Sequence, residues 1–356
     1  MFSIVTELST LQNLYRSESD WGKIVRKTSR YYVKCDIDIR EYPDLLSLDQ
    51  AGYIDSNRED AIEAILNGDY SRVYEFPNSA FVLNVDKSVA DKIQSEYGVI
   101  FQSAQCTDSR LLTDVDPDYK VSLRNSNRRN RGLSWESILS GLVTPRMPSN
   151  SLIINDRYLF AGDKFDDKGD APGVDSVKKI LRTLLPPDMM HEFYVVILFW
   201  IDAGKIKEKA VAERFVKNIA EGINKIKKDS QFKNMSSRLN IDVICLYGNN
   251  AGEKTHNRRI ISNYYTITAE HKLSACGESA VPQNFNVYKL FSHGIDGKSD
   301  FPLVGHVDTI KGIRAAIDDV LTNKKSVETV LYAHNGNMKD CNLYEVMKNR
   351  LFVEEG

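Results

Sequence analysis

The segment Thr255 to Tyr264 (THNRRIISNY) contains the residues best suited to chemistry, His256 and Arg258, two positions apart. If this segment begins a strand, alternation places both side chains on one face, and Ile260 continues that face into the core. A guanidinium neutralises phosphate oxygens and keeps its charge at any working pH. A neutral imidazole can act as a nucleophile or as a general acid–base. The pair therefore predicts a phosphate-ester site.

The elements that must position this pair form a regular pattern over residues 150–325. Segments 193–201 (FYVVILFWI) and 241–248 (IDVICLYG) are nearly continuous apolar runs, typical of strands buried on both faces. Segments 175–185 and 210–227 have apolar residues at helical spacing. This alternation predicts an α/β domain with a mixed or parallel sheet covered by helices on both faces.

The flanking regions are less regular. Residues 1–149 mix short helix and strand signals, which predicts a smaller α+β domain of unknown role. We place its boundary near residue 149, because the prolines of PRMPSNS interrupt the periodicity there. Residues 326–356 are expected to be a C-terminal extension that packs on the α/β domain. As a hypothesis, the N-terminal domain binds a protein partner.

His256, Arg258 and Asn263 have the spacing at which the phospholipase D superfamily carries His-x-Lys and a following Asp. The C-terminal domain therefore resembles that family, with Arg258 in place of the lysine and Asn263 in place of the aspartate. The order of flanking strands and helices is also similar. The resemblance begins at Ser151 and does not reach the N-terminal half.

The resemblance implies a phospholipase D-like, metal-independent phosphodiesterase (a nuclease), without a cofactor. In that family the histidine, here His256, attacks phosphorus to form a phosphohistidine, while Arg258 would clamp the phosphate and Asn263 would complete the site. A second histidine protonates the leaving group, so one motif per chain implies a homodimer or a second, different subunit. The implied substrate is nucleic acid, in a context of bacterial defence or repair.

Two other interpretations stay open. Some relatives with degenerate motifs are binding modules, so this chain could be a non-catalytic scaffold that recognises a phosphorylated ligand or a protein. Alternatively, His256 and Arg258 lie on an exposed hairpin, and Arg258 only pairs with a carboxylate.

Further substrate contacts are expected around the motif. Asp156 and Arg157 follow the first strand of the α/β domain, and the carboxyl ends of strands line the crevice in open α/β sheets. Arg259 is a neighbouring contact, and His293 is a candidate second imidazole. The densest basic stretch, Arg124 to Arg131, could supply a local positive patch. Its central candidates for substrate binding are Arg128 and Arg129.

Composition narrows the classes of partner. The chain has 356 residues and a net charge of −2, so no overall field attracts nucleic acid or membrane, and a polyanion site must be local. Five widely spaced cysteines without a CxxC pair indicate neither a disulfide framework nor a zinc site. No signal peptide or long apolar segment is recognised, so we expect a cytoplasmic protein without membrane association.

Overall fold

The described residues of the chain form two β-sheets. The computed structural model describes residues 2–26, 32–37, 41–45, 54–55, 58–107, 120–122, 147–162, 171–186, 189–249, 258–269, 273, 284–290, 301–322, 329–341, 346 and 348–353. His256, His293, Arg128 and Arg129 lie outside these residues, so the predictions made for them stay predictions.

The N-terminal sheet has five strands in the order β3-β2-β1-β4-β5. Its strands are β1 Ser3–Thr6, β2 Tyr32–Cys35, β3 Ile54–Asp55, β4 Ser79–Leu83 and β5 Phe101–Ser103. All four pairings are parallel. Its helices are α1 Leu8–Arg16, α2 Asp20–Arg26, α3 Glu59–Leu66 and α4 Lys87–Tyr97. The region is therefore a parallel α/β unit and not the α+β domain expected, because helices connect β1 to β2, β3 to β4 and β4 to β5 and return the chain in the same direction.

The C-terminal sheet has nine strands in the order β14-β13-β9-β8-β7-β10-β11-β12-β6. These strands are β6 Lys120–Ser122, β7 Ser151–Asn155, β8 Phe193–Asp202, β9 Leu239–Gly248, β10 Arg259–Ser262, β11 Tyr265–Ala269, β12 Asn284–Lys289, β13 Thr329–His334 and β14 Asn337–Lys339. Strands β7, β8 and β9 are parallel neighbours, and the remaining pairings are antiparallel.

Helices cover both faces of this sheet, which confirms the expected mixed α/β architecture. They are α5 Pro172–Leu184, α6 Lys209–Asn224 and α7 Phe301–Thr322. Along β8, Val195 and Ile197 pack into the core with α5 and α6, while Val196 and Leu198 pack into the core with α7. Because successive side chains point to opposite faces, a strand buried on both sides must be apolar throughout. Short 3-10 segments occur at Pro43–Leu45, Tyr70–Glu75, Lys225–Lys228, Ser230–Phe232 and Arg350–Phe352.

The sheet extends beyond residues 150–325 at both of its edges. Strand β6 comes from the region before it, and β13 and β14 come from the expected C-terminal extension. Asn335 and Gly336 turn β13 into β14 with φ angles of 49° and 84°. Positive φ at both central residues is the signature of a type I′ hairpin turn. The C-terminal segment thus completes the sheet as well as packing on it.

The two sheets meet at the carboxyl end of β10. The Tyr264 hydroxyl donates to the Ser79 carbonyl at 2.6 Å and accepts from the Ile100 amide at 3.0 Å. Tyr264 is 1% exposed, so these bonds are made away from water. Within the described part of the chain, no helix combines the length and the apolar character needed to cross a lipid bilayer.

Candidate functional site

The carboxyl ends of β7, β8 and β9 lie at one edge of the C-terminal sheet, where the antiparallel strand β10 begins. Asn155 is in register with Arg259, so Asp156, just after β7, is beside Arg258, just before β10. The Arg258 Nε atom is 3.9 Å from the Asp156 Oδ1 atom. Open α/β sheets bind ligands at this edge. The strand-end rule therefore brings Asp156 and Arg258 together, as the sequence pattern predicts.

Asp156 anchors this edge from inside. Its side chain is fully buried. The Oδ1 atom accepts a hydrogen bond from the Tyr158 amide at 2.9 Å, and the Oδ2 atom accepts one from the Leu273 amide at 2.6 Å. Its charge also attracts the Arg258 guanidinium. A carboxylate with no exposed surface cannot contact substrate directly. Asp156, expected to bind substrate, instead holds Arg258 and the loop that contains Tyr158 in place.

Two guanidiniums lie against aromatic rings at this edge. The Arg157 Cζ atom is 4.3 Å from the centre of the Trp200 ring and 5.1 Å from that of Tyr158. The Arg258 Cζ atom is 5.7 Å from the centre of the Tyr158 ring. Trp200 is fixed in turn by a hydrogen bond from Nε1 to the Gly248 carbonyl at 2.8 Å. Cation–π contact orients each guanidinium, and it leaves the N–H groups in the guanidinium plane available as donors where they are exposed.

We call this group of five residues the arginine edge: Asp156, Arg157, Tyr158, Trp200 and Arg258. The formal charge of the arginine edge is +1. Its carboxylate, Asp156, is buried, whereas the Arg258 side chain is 22% exposed and Arg157 is half-buried. The Arg157 Nε atom is buried and has no hydrogen-bond partner among the residues that the structure describes. The edge therefore suits an acceptor that carries a single negative charge, such as a phosphodiester.

The Arg259 side chain is bonded to helix α7 and not to the arginine edge. Its side chain faces α7, where Nη1 donates to the Gly305 carbonyl at 3.0 Å and to the Thr309 hydroxyl. Burial lowers the pKa of Arg259 from its usual value. Alternation along β10 explains this placement, because neighbouring residues face opposite sides of the sheet. Arg259, expected to contact substrate, anchors a helix instead.

Asn263 lies at the opposite end of β10. In an extended strand five residues span about 16 Å, so Asn263 cannot meet a ligand together with Arg258. Asn263 is 2% exposed, and its Oδ1 atom accepts the Asn150 and Ser151 amides, both at 3.0 Å. Its Nδ2 atom donates to Asn78 across the two sheets at 3.4 Å. The structure therefore does not bring the predicted catalytic set together, and Asn263 joins the two sheets.

Tyr158 and Trp200 are site residues that the sequence pattern did not predict. Tyr158 directly follows Arg157, and Trp200 belongs to the apolar run 193–201, which predicts a buried strand. The available signal was an aromatic residue near the carboxyl end of each of two neighbouring strands. That signal becomes specific only when the strand order is known.

No group of three or more His, Cys, Asp or Glu side chains in the described ranges is placed to hold a metal ion. A scan against protein-family models found no match to this chain, and a search of curated proteins found none either. The phospholipase D resemblance therefore depends on motif spacing and strand order alone.

Proposed function

We propose that this protein binds a phosphodiester of nucleic acid at the arginine edge. The observation that carries the proposal is the placement of two guanidiniums against one tyrosine ring, at the carboxyl ends of parallel strands. Arg157 also stacks on Trp200, so cations and aromatic rings alternate along the edge. Proteins that bind nucleic acid combine these two groups, because cations meet phosphates and rings stack on bases.

Hydrolysis is the second candidate, and sequence spacing favours it. His256 precedes Arg258 by two residues, so a strand-like path would bring its imidazole to the same edge. The imidazole would attack phosphorus without a metal, and an imidazole from a second subunit or His293 would protonate the leaving oxygen. The proposal includes a cytoplasmic location, a homodimer for the hydrolytic form, and a protein partner for the N-terminal sheet. Nucleic-acid defence or repair would suit either form.

Binding is tested first, by fluorescence anisotropy with labelled single- and double-stranded DNA and RNA. Arg157→Ala should weaken binding about 10- to 100-fold, because a charge-assisted hydrogen bond contributes about 1.5–3 kcal/mol. Arg72→Ala, which removes a partly exposed arginine that pairs with Glu75 in the N-terminal unit, is the control and should leave affinity unchanged. Equal affinities for all three proteins would refute the proposed site.

Cleavage is tested with the same labelled strands in the presence of a chelator. Turnover that survives chelation and disappears in His256→Ala supports the phosphodiesterase. Binding without turnover, with His256→Ala equal to the parent protein, supports a non-catalytic binding module.

A further inference from the structure

Positive charge is concentrated in one segment next to the arginine edge. Residues 203–238 contain eight lysines and two arginines against four acidic residues, a surplus of six positive charges in a chain whose net charge is −2. The segment includes the loop after β8, helix α6 and the turns that lead to β9. A local surplus of this size attracts polyanions even when the whole protein does not.

Helix α6 separates this charge into two groups. The helix connects the parallel strands β8 and β9, so it runs from the carboxyl edge of the sheet back to the amino edge. Its 16 residues span about 24 Å. Lys205, Lys207 and Lys209 are at the carboxyl edge, and all three are exposed. Lys228 and Lys233, also exposed, are at the opposite edge.

The loop that carries Lys205 and Lys207 is held firmly. The Lys205 and Ile206 amides each donate to the Asp202 carbonyl at 3.0 Å. From the neighbouring strand, the Tyr247 hydroxyl donates to the Ile206 carbonyl at 2.8 Å and also contacts the Lys207 carbonyl at 3.2 Å. The lysines therefore project from a fixed backbone, which lowers the entropy cost of holding a ligand.

This loop is continuous with the arginine edge. Gly248 links the loop to the arginine edge, because its carbonyl accepts hydrogen bonds from Trp200 Nε1 at 2.8 Å and from the Ala203 amide at 3.5 Å. Neither Lys205 nor Lys207 has an ion-pair partner among the described residues. Lys209 pairs with Glu213 at 3.5 Å in an exposed, weak contact. Two acidic residues lie close to these lysines in sequence. Asp202 accepts a hydrogen bond from the Gly204 amide, and Glu208 is exposed.

We propose that a single-stranded nucleic acid crosses from the arginine edge onto the loop 203–209. Its bases stack beside Tyr158 and Trp200, and its phosphates meet Lys205, Lys207 and Lys209. A single strand fits because stacking on protein rings needs unpaired bases. An acidic protein surface would match the lysines but would not use the rings. This inference rests on the proposed function, because it extends the same phosphate site.

The experiment compares two triple variants with the same change of charge. The first is Lys205→Gln/Lys207→Gln/Lys209→Gln. The control is Lys217→Gln/Lys228→Gln/Lys233→Gln, in which Lys217 pairs with Glu221 at 3.8 Å much as Lys209 pairs with Glu213. Affinity for a short labelled single strand is measured over a range of salt concentrations, after thermal unfolding has shown that both variants fold.

The first variant should bind at least tenfold more weakly at low salt. Its plot of log affinity against log salt should be shallower by about 2, since each neutralised phosphate of a single strand contributes about 0.7 to the slope. The control should keep the slope of the parent protein. Equal losses of affinity in both variants would mean unspecific electrostatic attraction and would overturn the proposed path. The path would also be overturned if duplex bound as tightly as the single strand, or if polyglutamate competed with the labelled strand as well as unlabelled single strand does.

The outcomes also separate the two proposals. If the first triple variant binds like the parent protein while Arg157→Ala weakens binding, the loop path is wrong and the arginine edge stands. If neither change affects affinity, both proposals are wrong.

Discussion

The two ends of strand β10 differ in almost every physical property. Before its first residue, Arg258 is partly exposed, lies near a buried carboxylate and faces an aromatic ring. After its last residue, Asn263 and Tyr264 are buried, and their polar atoms bond to backbone groups of both sheets. The first end can meet a ligand, while the second joins the two halves of the molecule.

This difference shows how strand length limits a spacing motif. Residues that share a face of an extended strand and lie two apart are neighbours, but residues five apart are about 16 Å from each other. Arg258 and Asn263 can therefore belong to one motif in sequence and serve separate purposes in the fold.

The largest effect is expected from Asn263→Ala. The change removes the acceptor of two buried backbone amides, and each unsatisfied amide costs about 1–3 kcal/mol. The free energy of unfolding should fall by about 3–5 kcal/mol in urea denaturation, while the folded fraction keeps its affinity for nucleic acid. Asn263→Asp retains the acceptor oxygens and should lose less. The exposed Asn234→Ala is the control, and a stable Asn263→Ala protein would refute the structural role.

The next effect depends on pH and concerns the α7 face of the sheet. Burial, assisted by the nearby Arg259, lowers the pKa of His306 to about 3. Unfolded histidine titrates near its usual pKa of 6.5. The stabilising contribution is therefore complete above pH 6.5 and is lost as pH falls from 6.5 towards 3, because the unfolded chain takes up a proton that the folded one refuses.

His306→Gln should flatten this dependence. At pH 4.5 the parent protein should have lost about 3 kcal/mol through this residue relative to pH 7, because each pH unit below the unfolded pKa costs about 1.4 kcal/mol. The measurement is the unfolding free energy of both proteins from pH 7 to pH 4.5. Parallel curves would show that His306 does not remain neutral in the folded state.

The sequence predicted the fold best where the spacing of the apolar residues agrees with their burial. The apolar runs in β8 and β9 and the spaced apolar residues of α5 and α6 predict buried strands and covering helices directly. The N-terminal strands are two to five residues long, so their local signals do not show that they pair in parallel. The Asn335-Gly336 pair is a sequence typical of a two-residue hairpin turn, so β13 and β14 could have been predicted from it.

The site was predicted only in part, for the same reason. Asp156 and Arg157 were found because strand ends are visible in sequence and converge at one edge. The stacking of Arg157 on Trp200 depends on the register of β7 and β8, which no local pattern encodes. Asn263 was predicted as a site residue from its spacing to His256 and Arg258, but the length of β10 places it at the opposite end of that strand.

Two adjacent arginines on opposite faces of the chain provide the most direct test of the central claim, which is that the arginine edge binds phosphodiesters. Arg258→Gln removes a charge from that edge and keeps an amide donor for Asp156, whereas Arg259→Gln removes a charge from the anchor of α7. In anisotropy measurements with a labelled single strand, Arg258→Gln should weaken binding about tenfold. Arg259→Gln should leave affinity within about twofold and lower only thermal stability. Equal affinities in the two variants would contradict the account.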